Sequence, residues 1–359
     1  MVAHPPAPGE ALRDRLRASA AAGTPPRVLL IKMSSLGDVI HALPTVAALK
    51  RGLACHLTWV VNAAYADLVR CCPAVDAVLP FDRRHALRHL PGFLAAVRRE
   101  PYHLALDLMG LLKSALVARL AGAEVVLGAS YNREGARFFY DARLGPRDLN
   151  RHAILQNLDA ATYLGLEADP GTFPLRFPAP ATPIPAGRPV AVLVPGARWV
   201  TKRWPEERFA AVAAGLVRDG VHVLIVGEEA PGDGGGWPPE IQDLRGKTSL
   251  VELGAVLART DLVIANDTGP MHLAAALGRP VIALMGPTDP RRTGPAGPGH
   301  RVLSGFPQCS PCFSRTCGNP DRLCCLTAVE PEEVLAAARD VLRRRAAPRV
   351  AALTGPGKP

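Results

Sequence analysis

Short apolar runs alternate with stretches of helical period along most of this chain. "RVLLI" (Arg27 to Ile31), "CHLTWVV" (Cys55 to Val61), "DAVLP" (Asp76 to Pro80), "YHLALDLMG" (Tyr102 to Gly110) and "EVVLG" (Glu124 to Gly128) each read as a short buried strand. Between them lie helix-period stretches such as "AAYADLVRCC", the basic "RRHALRHLPGFLAAVRR" and "KSALVARLAG", and "RHAILQNLDAATYLGL" (Arg151 to Leu166) closes the series. Strands that alternate with helices predict a parallel, doubly wound sheet.

A Pro-rich stretch, "EADPGTFPLRFPAPATPIPAGRP" (Glu167 to Pro189), then interrupts the pattern and reads as a linker, because its prolines cannot sustain a helix. The alternation restarts with "VAVLVPG", the helix "WPEERFAAVAAGLVRDG", "VHVLIVG", "TSLVELGAVLA", "DLVIAND", "PMHLAAALG" and "PVIALMG". The expected organisation is an N-terminal extension over 1–26, a Rossmann-like domain over 27–166, a linker over 167–188 and a second Rossmann-like domain over 189–330. A helix at 331–345 is expected to reach back to the first domain, followed by a flexible tail over 346–359. The extension is rich in Pro, Ala and Arg and is expected to be a flexible stretch, disordered or loosely helical. It lacks the continuous apolar stretch of a secretory signal. No run approaches the roughly 18–20 apolar residues of a membrane span, and a cytoplasmic location is expected.

The net charge of +10 divides into +6 over residues 1–180 and +4 over 181–359. Scattered this way, and with aromatics at 5%, the charge does not form the aromatic-laced groove of a nucleic-acid binder, and no nucleic-acid partner is expected. It suits phosphorylated ligands or an anionic membrane face.

Two strand ends carry the chemistry. In "KMSSLGDVIHALP" (Lys32 to Pro44), Asp38 stands where the first strand passes into a helix. It is either a helix cap or a carboxylate facing a ligand, since open α/β sheets bind ligands outside the carboxyl ends of their strands. In "NDTGPMHLAAALGRPVIALMGPTDP" (Asn266 to Pro290), a helix starts near Gly269. Asp267 alone would be a cap; with Thr268, Gly269 and His272 the stretch reads as a phosphate site at a helix N-terminus. Lys202, in "PGARWVTKRWPEERF", is either a solvated surface lysine or the counter-charge to a diphosphate.

Other phosphate signatures fail. "RGKTS" (Arg245 to Ser249) lacks the glycine and strand of a P-loop, "PGDGGGWPP" lacks the G-x-G-x-x-G register, and no Asp-x-Asp metal clamp occurs. Cys55, Cys71 and Cys72 are expected to be core residues. Cys309, Cys312, Cys317, Cys324 and Cys325 form C-x2-C-x4-C-x6-CC in a Pro- and Gly-broken segment. That spacing fits either a structural zinc or iron–sulfur centre or plain reduced thiols, and the segment is expected to lie away from the catalytic loops.

Taken in order, "KMSSLGDVIHALP", "DLMGLLKSALVARLAG", "TKRWPEERF", "NDTGPMHLAAALGRPVIALMGPTDP" and the cysteine segment ending in "PEEV" make the chain resemble the glycosyltransferase family 9 heptosyltransferases, from about residue 27 to 345. The resemblance implies a GT-B fold, with two Rossmann-like sheets facing across a cleft. It also implies an inverting, metal-independent transfer of heptose from ADP-heptose to a lipid-linked anionic oligosaccharide, the lipopolysaccharide inner core (lipid A–Kdo or heptose), at the inner leaflet of the inner membrane.

By motif, Asp38 falls on the general base within a loop that includes Ser34, Ser35 and Gly37, which contact the acceptor. Lys202 falls on the phosphate-binding lysine, and Asp267, Thr268, Gly269 and His272 on the nucleotide-sugar loop. Arg83, Arg84, Lys113 and Arg133 lie where the acceptor's anionic groups are bound. Glu228 and Glu229 stand a few residues before the place of the family's ribose-binding acid, which bears on the nucleotide. The alternatives are transfer from another nucleotide sugar or to another glycan, or a non-catalytic nucleotide-sugar binder of the same fold.

Overall fold

Each long apolar run becomes a parallel strand, because helices cover both faces of the sheet and leave no side for polar residues. A computed structural model of the chain describes residues 8–82, 85–228 and 236–353, and divides it into two compact units between Arg176 and Phe177.

The first unit runs α1 (Pro8–Ala21), β1 (Arg27–Ile31), α2 (Leu36–Leu53), β2 (His56–Asn62), α3 (Ala66–Arg70), β3 (Ala77–Phe81), α4 (Ala86–Val97), β4 (Leu104–Asp107), α5 (Leu112–Leu120), β5 (Val125–Ala129), β6 (Ala142–Leu144) and α6 (Ala153–Tyr163). The second runs β7 (Val190–Val194), α7 (Glu206–Arg218), β8 (His222–Ile225), β9 (Gln242–Asp243), α8 (Leu250–Leu257), β10 (Leu262–Asn266), α9 (Gly269–Ala276), β11 (Val281–Leu284), α10 (Pro290–Thr293), β12 (Arg301–Leu303), α11 (Cys324–Thr327) and α12 (Pro331–Leu353).

The first sheet has the order β3-β2-β1-β4-β5-β6 and the second β12-β11-β10-β7-β8-β9. Counted within each unit, both follow the doubly wound order 3-2-1-4-5-6, and every pairing is parallel. The strand order therefore reverses between β1 and β4 in one unit and between β7 and β10 in the other. At such a point neighbouring crossovers depart to opposite faces and leave a crevice for a ligand. The edge strands β6, β9 and β12 escaped the sequence reading, because two or three partly polar residues carry no period.

Two boundaries differ from expectation. The N-terminal extension contains α1, which is docked: Leu12 and Leu16, four residues apart, are buried, and Arg17 Nε donates to the Gly52 carbonyl at the end of α2. An apolar stripe one turn long is enough to hold a helix against an existing core. Leu16→Ala should lower stability by about 2–5 kcal/mol, the range for truncating a buried leucine. Denaturant unfolding checks this, and an unchanged midpoint would mean that α1 is not docked in solution.

The C-terminal helix belongs to the second unit. Val334, Ala337, Ala338 and Val341 recur at helical spacing and are buried with Trp204, Phe209, Val212 and Leu216, so α12 completes the core of the second unit against α7. The Pro-rich segment is also anchored: Arg176 N–H donates to the Cys71 carbonyl, and the Glu252 carboxylate accepts from the N–H groups of Ala181 and Thr182.

Candidate active site

In the first unit the site is built at the carboxyl end of β1. Lys32 directly follows the strand and is buried. Its Nζ donates to the Leu108 carbonyl (2.6 Å) and lies 3.5 Å from the Tyr131 hydroxyl, while its own carbonyl accepts from Trp59 Nε1. Burial works to lower the Lys32 pKa, but Tyr131, Asp38 and Asp107 together raise it above the ordinary value, so the ammonium stays charged. Asp107, the last residue of β4, is fully buried. It accepts hydrogen bonds from the hydroxyls of Tyr140 (2.7 Å) and Ser114 (2.8 Å) and from the N–H groups of Met109 and Gly110. Its pKa is raised by burial, with these donors opposing the shift. A cationic lysine and a saturated carboxyl group thus form the floor beneath the β1 and β4 loops.

Asp38 sits above that floor as the third residue of α2. Ser35 caps the helix, and both its N–H (2.5 Å) and its Oγ (2.9 Å) donate to Asp38 Oδ2. The arrangement is a reciprocal capping box, and it fixes the carboxylate in one orientation. Asp38 is half-buried, Ser34 likewise, Ser35 exposed and Gly37 buried. The two readings of Asp38 are compatible: one oxygen caps, and the carboxylate still stands at the end of the strand.

Lys113 and Arg133 come to the neighbouring β4 loop, both exposed. Arg133 N–H donates to the Gly110 carbonyl (2.8 Å), and Gly110 has a φ of +69° with Asn132 backbone 3.1 Å from where a Cβ would stand, so glycine is required at this turn. Arg83 and Arg84 lie outside the described residues, as does Glu229.

In the second unit, Lys202 follows β7 and Asp267 follows β10, at the other reversal point. Lys202 Nζ lies 2.6 Å from Asp267 Oδ2, with only 18% and 4% of the two side chains exposed. The Thr288 hydroxyl donates to the same oxygen (2.5 Å), and His272 Nε2 lies 3.8 Å from Oδ1. The indole of Trp199 lies beneath the ammonium, 4.8 Å from ring centroid to nitrogen. Asn266 ties the two loops together, its Nδ2 donating to the Pro195 carbonyl (2.6 Å) and its Oδ1 accepting from Trp204 N–H (3.0 Å).

The N-terminus of α9 is open. Thr268 is its cap residue but makes no side-chain cap bond, and Pro270 contributes no N–H. Gly269 N–H and the Lys202 ammonium are therefore the groups suited to an anion here, with Asp267 orienting the lysine. Glu228 is exposed at the end of β8, one strand away from the reversal point.

The sequence reading missed Lys32, Asp107, Tyr131, Asn266 and Thr288. Lys32 and Thr288 had a signal, a lysine ending an apolar strand and a threonine in the turn "GPTDP" after another. The others act through contacts between distant parts of the chain.

Residues 92–322 match the family model for glycosyltransferase family 9 (heptosyltransferase). The chain is 34% identical over 311 residues to lipopolysaccharide heptosyltransferase 1 of Pseudomonas aeruginosa, covering 81% of this chain and 87% of that one. It is 28% identical over 324 residues to lipopolysaccharide heptosyltransferase 1 of Escherichia coli K12, covering 77% and 92%. Among solved structures, the E. coli heptosyltransferase WaaC with ADP superposes with a TM-score of 0.65 at 29% identity, over 77% of this chain and 92% of that one. A family 9 glycosyltransferase of Veillonella parvula superposes with a TM-score of 0.77 at 23% identity, over 89% and 98%.

Proposed function

Because the chain belongs to glycosyltransferase family 9, the heptosyltransferases, and folds as the GT-B pair of Rossmann-like sheets, we propose that it moves a heptose from ADP-heptose to the lipopolysaccharide inner core, with lipid A–Kdo or a first heptose as acceptor. The observation that carries this reading is the matched pair of strand-end sites. An oriented carboxylate, Asp38, occupies the reversal point of the first unit, and a lysine held by a buried carboxylate occupies that of the second.

The chemistry follows from what each group can do. A sugar hydroxyl is a poor nucleophile, so the Asp38 oxygen not held by Ser35 takes its proton as the acceptor oxygen bonds to the anomeric carbon. The bond from that carbon to the β-phosphate oxygen breaks, and ADP leaves with the electron pair. Lys202 and the N–H groups at the start of α9 stabilise the charge that develops on the diphosphate. One displacement from the opposite face inverts the anomeric centre. No metal takes part in this reading: the Lys202 ammonium, oriented by Asp267, and the Gly269 N–H meet the diphosphate.

On the acceptor side, Lys113 and Arg133 are exposed cations suited to carboxylate and phosphate groups. An acceptor anchored in a bilayer places the enzyme at the inner leaflet of the inner membrane as a peripheral protein of the cytoplasm. No helix among the described residues is long and apolar enough to cross a membrane.

The test is ADP release from ADP-heptose by purified protein in EDTA, with Kdo2–lipid A, with its heptosylated product, or with no acceptor. Release that depends on one of the two acceptors is expected. Release from UDP- or GDP-sugars in preference to ADP-heptose would move the donor assignment elsewhere, and the exposed position of Glu228 makes that comparison informative. Absence of acceptor-dependent release from any nucleotide sugar would refute the reading.

A further inference from the structure

Two groups of metal-binding residue types remain. The first is the cysteine segment, in which residues 304–323 connect β12 to α11 without helix or strand. Ser310 Oγ donates to the Gly286 carbonyl (2.7 Å), Phe313 N–H to the Pro287 carbonyl (2.7 Å), and the Ser314 carbonyl accepts from Thr201 Oγ1 (2.8 Å). Thr201 directly precedes Lys202, and Pro287 directly precedes Thr288. The expectation that the cysteines lie away from the catalytic loops is thus corrected: the segment is hydrogen-bonded to the loops bearing Thr201 and Pro287. Its five thiols are free and do not bring three sulfurs within 4.8 Å of one another.

The second group does come together. Asp82, His85 and His89 each offer one ligand atom, and the three atoms lie within 4.8 Å of one another. His85 Nδ1 is 2.9 Å from Asp82 Oδ2, and the His85 N–H donates to Asp82 Oδ1 (3.4 Å). His89 N–H donates to the His85 carbonyl (3.1 Å), so the two histidines stand one helical turn apart on one face. An exposed Asp–His pair needs no second histidine. Two histidines four residues apart with a carboxylate beside them make a spacing that suits a divalent metal. Asp82 directly follows β3, and the parallel pairing of β3 with β2 and of β2 with β1 puts it at the same end of the sheet as Asp38, the end where such sheets bind ligands. The scaffold beneath is firm: Phe81 meets Phe93 edge to face at 5.0 Å, and Phe93 and Val97 are buried in the first unit's core. Asp82 and His89 also line a cavity of about 310 Å³ with Ala63, Gly92 and Phe93.

We propose that Asp82, His85 and His89 bind one zinc ion, leaving its fourth position open to the cavity for water or an anionic oxygen. Tetrahedral bonds of about 2.0–2.1 Å set ligand atoms about 3.3 Å apart. The contact between Asp82 Oδ2 and His85 Nδ1 therefore opens slightly from 2.9 Å, while His89 closes in. Both histidines and the aspartate are at least partly exposed, so rotation of the side chains suffices. The imidazoles bind in their neutral form, and protons displaced from the ligand atoms leave to solvent. The ion joins the end of β3 to the first turn of α4, closing a ring whose sequence includes Arg83 and Arg84. The zinc site stands without the proposed function, whose chemistry uses no metal; only its bearing on an anionic acceptor rests on that reading.

Chelator-stripped, reduced protein is to be titrated with zinc beside the double variant His85→Ala with His89→Ala. The wild type should take up about one equivalent more than the variant, since any binding by thiols is common to both. Asp82→Asn keeps an acceptor for the His85 N–H but loses the anionic ligand, and should weaken this uptake by about tenfold or more. If the double variant failed to fold, as read by circular dichroism, Asp82→Asn would carry the comparison. Zinc should also slow amide hydrogen exchange across residues 85–90 by about tenfold in the wild type and leave it unchanged in the double variant. Equal zinc uptake by the wild type and the folded variants would overturn the site. An extra equivalent bound with no slowing of exchange would overturn the cross-link between β3 and α4. Neither readout involves nucleotide or acceptor, and the transfer assay is run in EDTA, so the two outcomes are separable.

Discussion

Asp38→Asn should reduce sugar transfer by about 10²–10⁴, the usual effect of losing a general acid or base, with fold and donor affinity nearly intact. The structure makes this substitution a clean one. Asp38 Oδ2 accepts from both Ser35 N–H and Ser35 Oγ, and an asparagine carbonyl oxygen can accept the same two bonds. The capping box therefore survives, and stability should shift by no more than about 1 kcal/mol. Donor affinity should hold because the groups assigned to the diphosphate belong to the second unit. Asparagine cannot take a proton from the acceptor hydroxyl, and that loss falls on the chemical step alone. Three measurements separate the roles: denaturant unfolding, calorimetry with ADP, and transfer rate at saturating donor. If the variant folded and transferred heptose near the wild-type rate, Asp38 would be a cap only, and the base would have to be another group near the β1 and β4 loops.

Lys202→Met should lower transfer by about 10²–10³, the magnitude found when one donor to a developing oxyanion is removed. It should also destabilise the second unit. Methionine keeps most of the side-chain volume over Trp199 but leaves Asp267 with its Lys202 contact gone, in a place where 4% of its side chain is exposed. Thr288 still donates to that carboxylate, so the loss is expected at about 1–3 kcal/mol, that of a buried polar group with a missing partner. Adding Asp267→Asn removes the uncompensated charge and should recover much of the stability, but not the activity, because the cation at the diphosphate is still missing. A double-mutant cycle on both quantities makes the distinction. Recovery of transfer in the double variant would show that Lys202 only neutralises Asp267 and takes no part in catalysis.

Much of the architecture was legible because it rests on local period. Apolar runs of four to seven residues bounded by Gly, Pro and Asp can only be buried strands when amphipathic stretches separate them. The nine longer strands follow from that pattern within a residue or two at most ends. Asp38 and the Asn266–Thr268 turn could be placed because each immediately follows such a run. The failures have equally specific causes. The Ala- and Arg-rich stretch before β1 looked like a loose extension, since only Leu12 and Leu16 of α1 are apolar anchors and their partner surface is remote in sequence. The stripe of Val334, Ala337, Ala338 and Val341 predicted that α12 packs on something, but a stripe does not name its partner.

The sequence by itself determined the alternation of strand and helix, a Pro-rich interruption over 167–188, and which residues stand at strand ends, because these depend on near neighbours along the chain. Only the tertiary structure decided that β1 lies beside β4 and β7 beside β10, and so which strand ends share a crevice. Strand order is set by how the crossover helices pack, a property of contacts between distant segments. The same holds for the pairing of Lys202 with Asp267, the donation from Thr288, the hydrogen bond from Lys32 to the Leu108 carbonyl, and the hydrogen bond from Thr201 to Ser314. Each joins residues brought together by neighbouring strands or by a returning loop. A lysine and an aspartate read singly in a sequence carry their charges; that the two neutralise each other, and leave one ammonium oriented, is a fact of their shared burial.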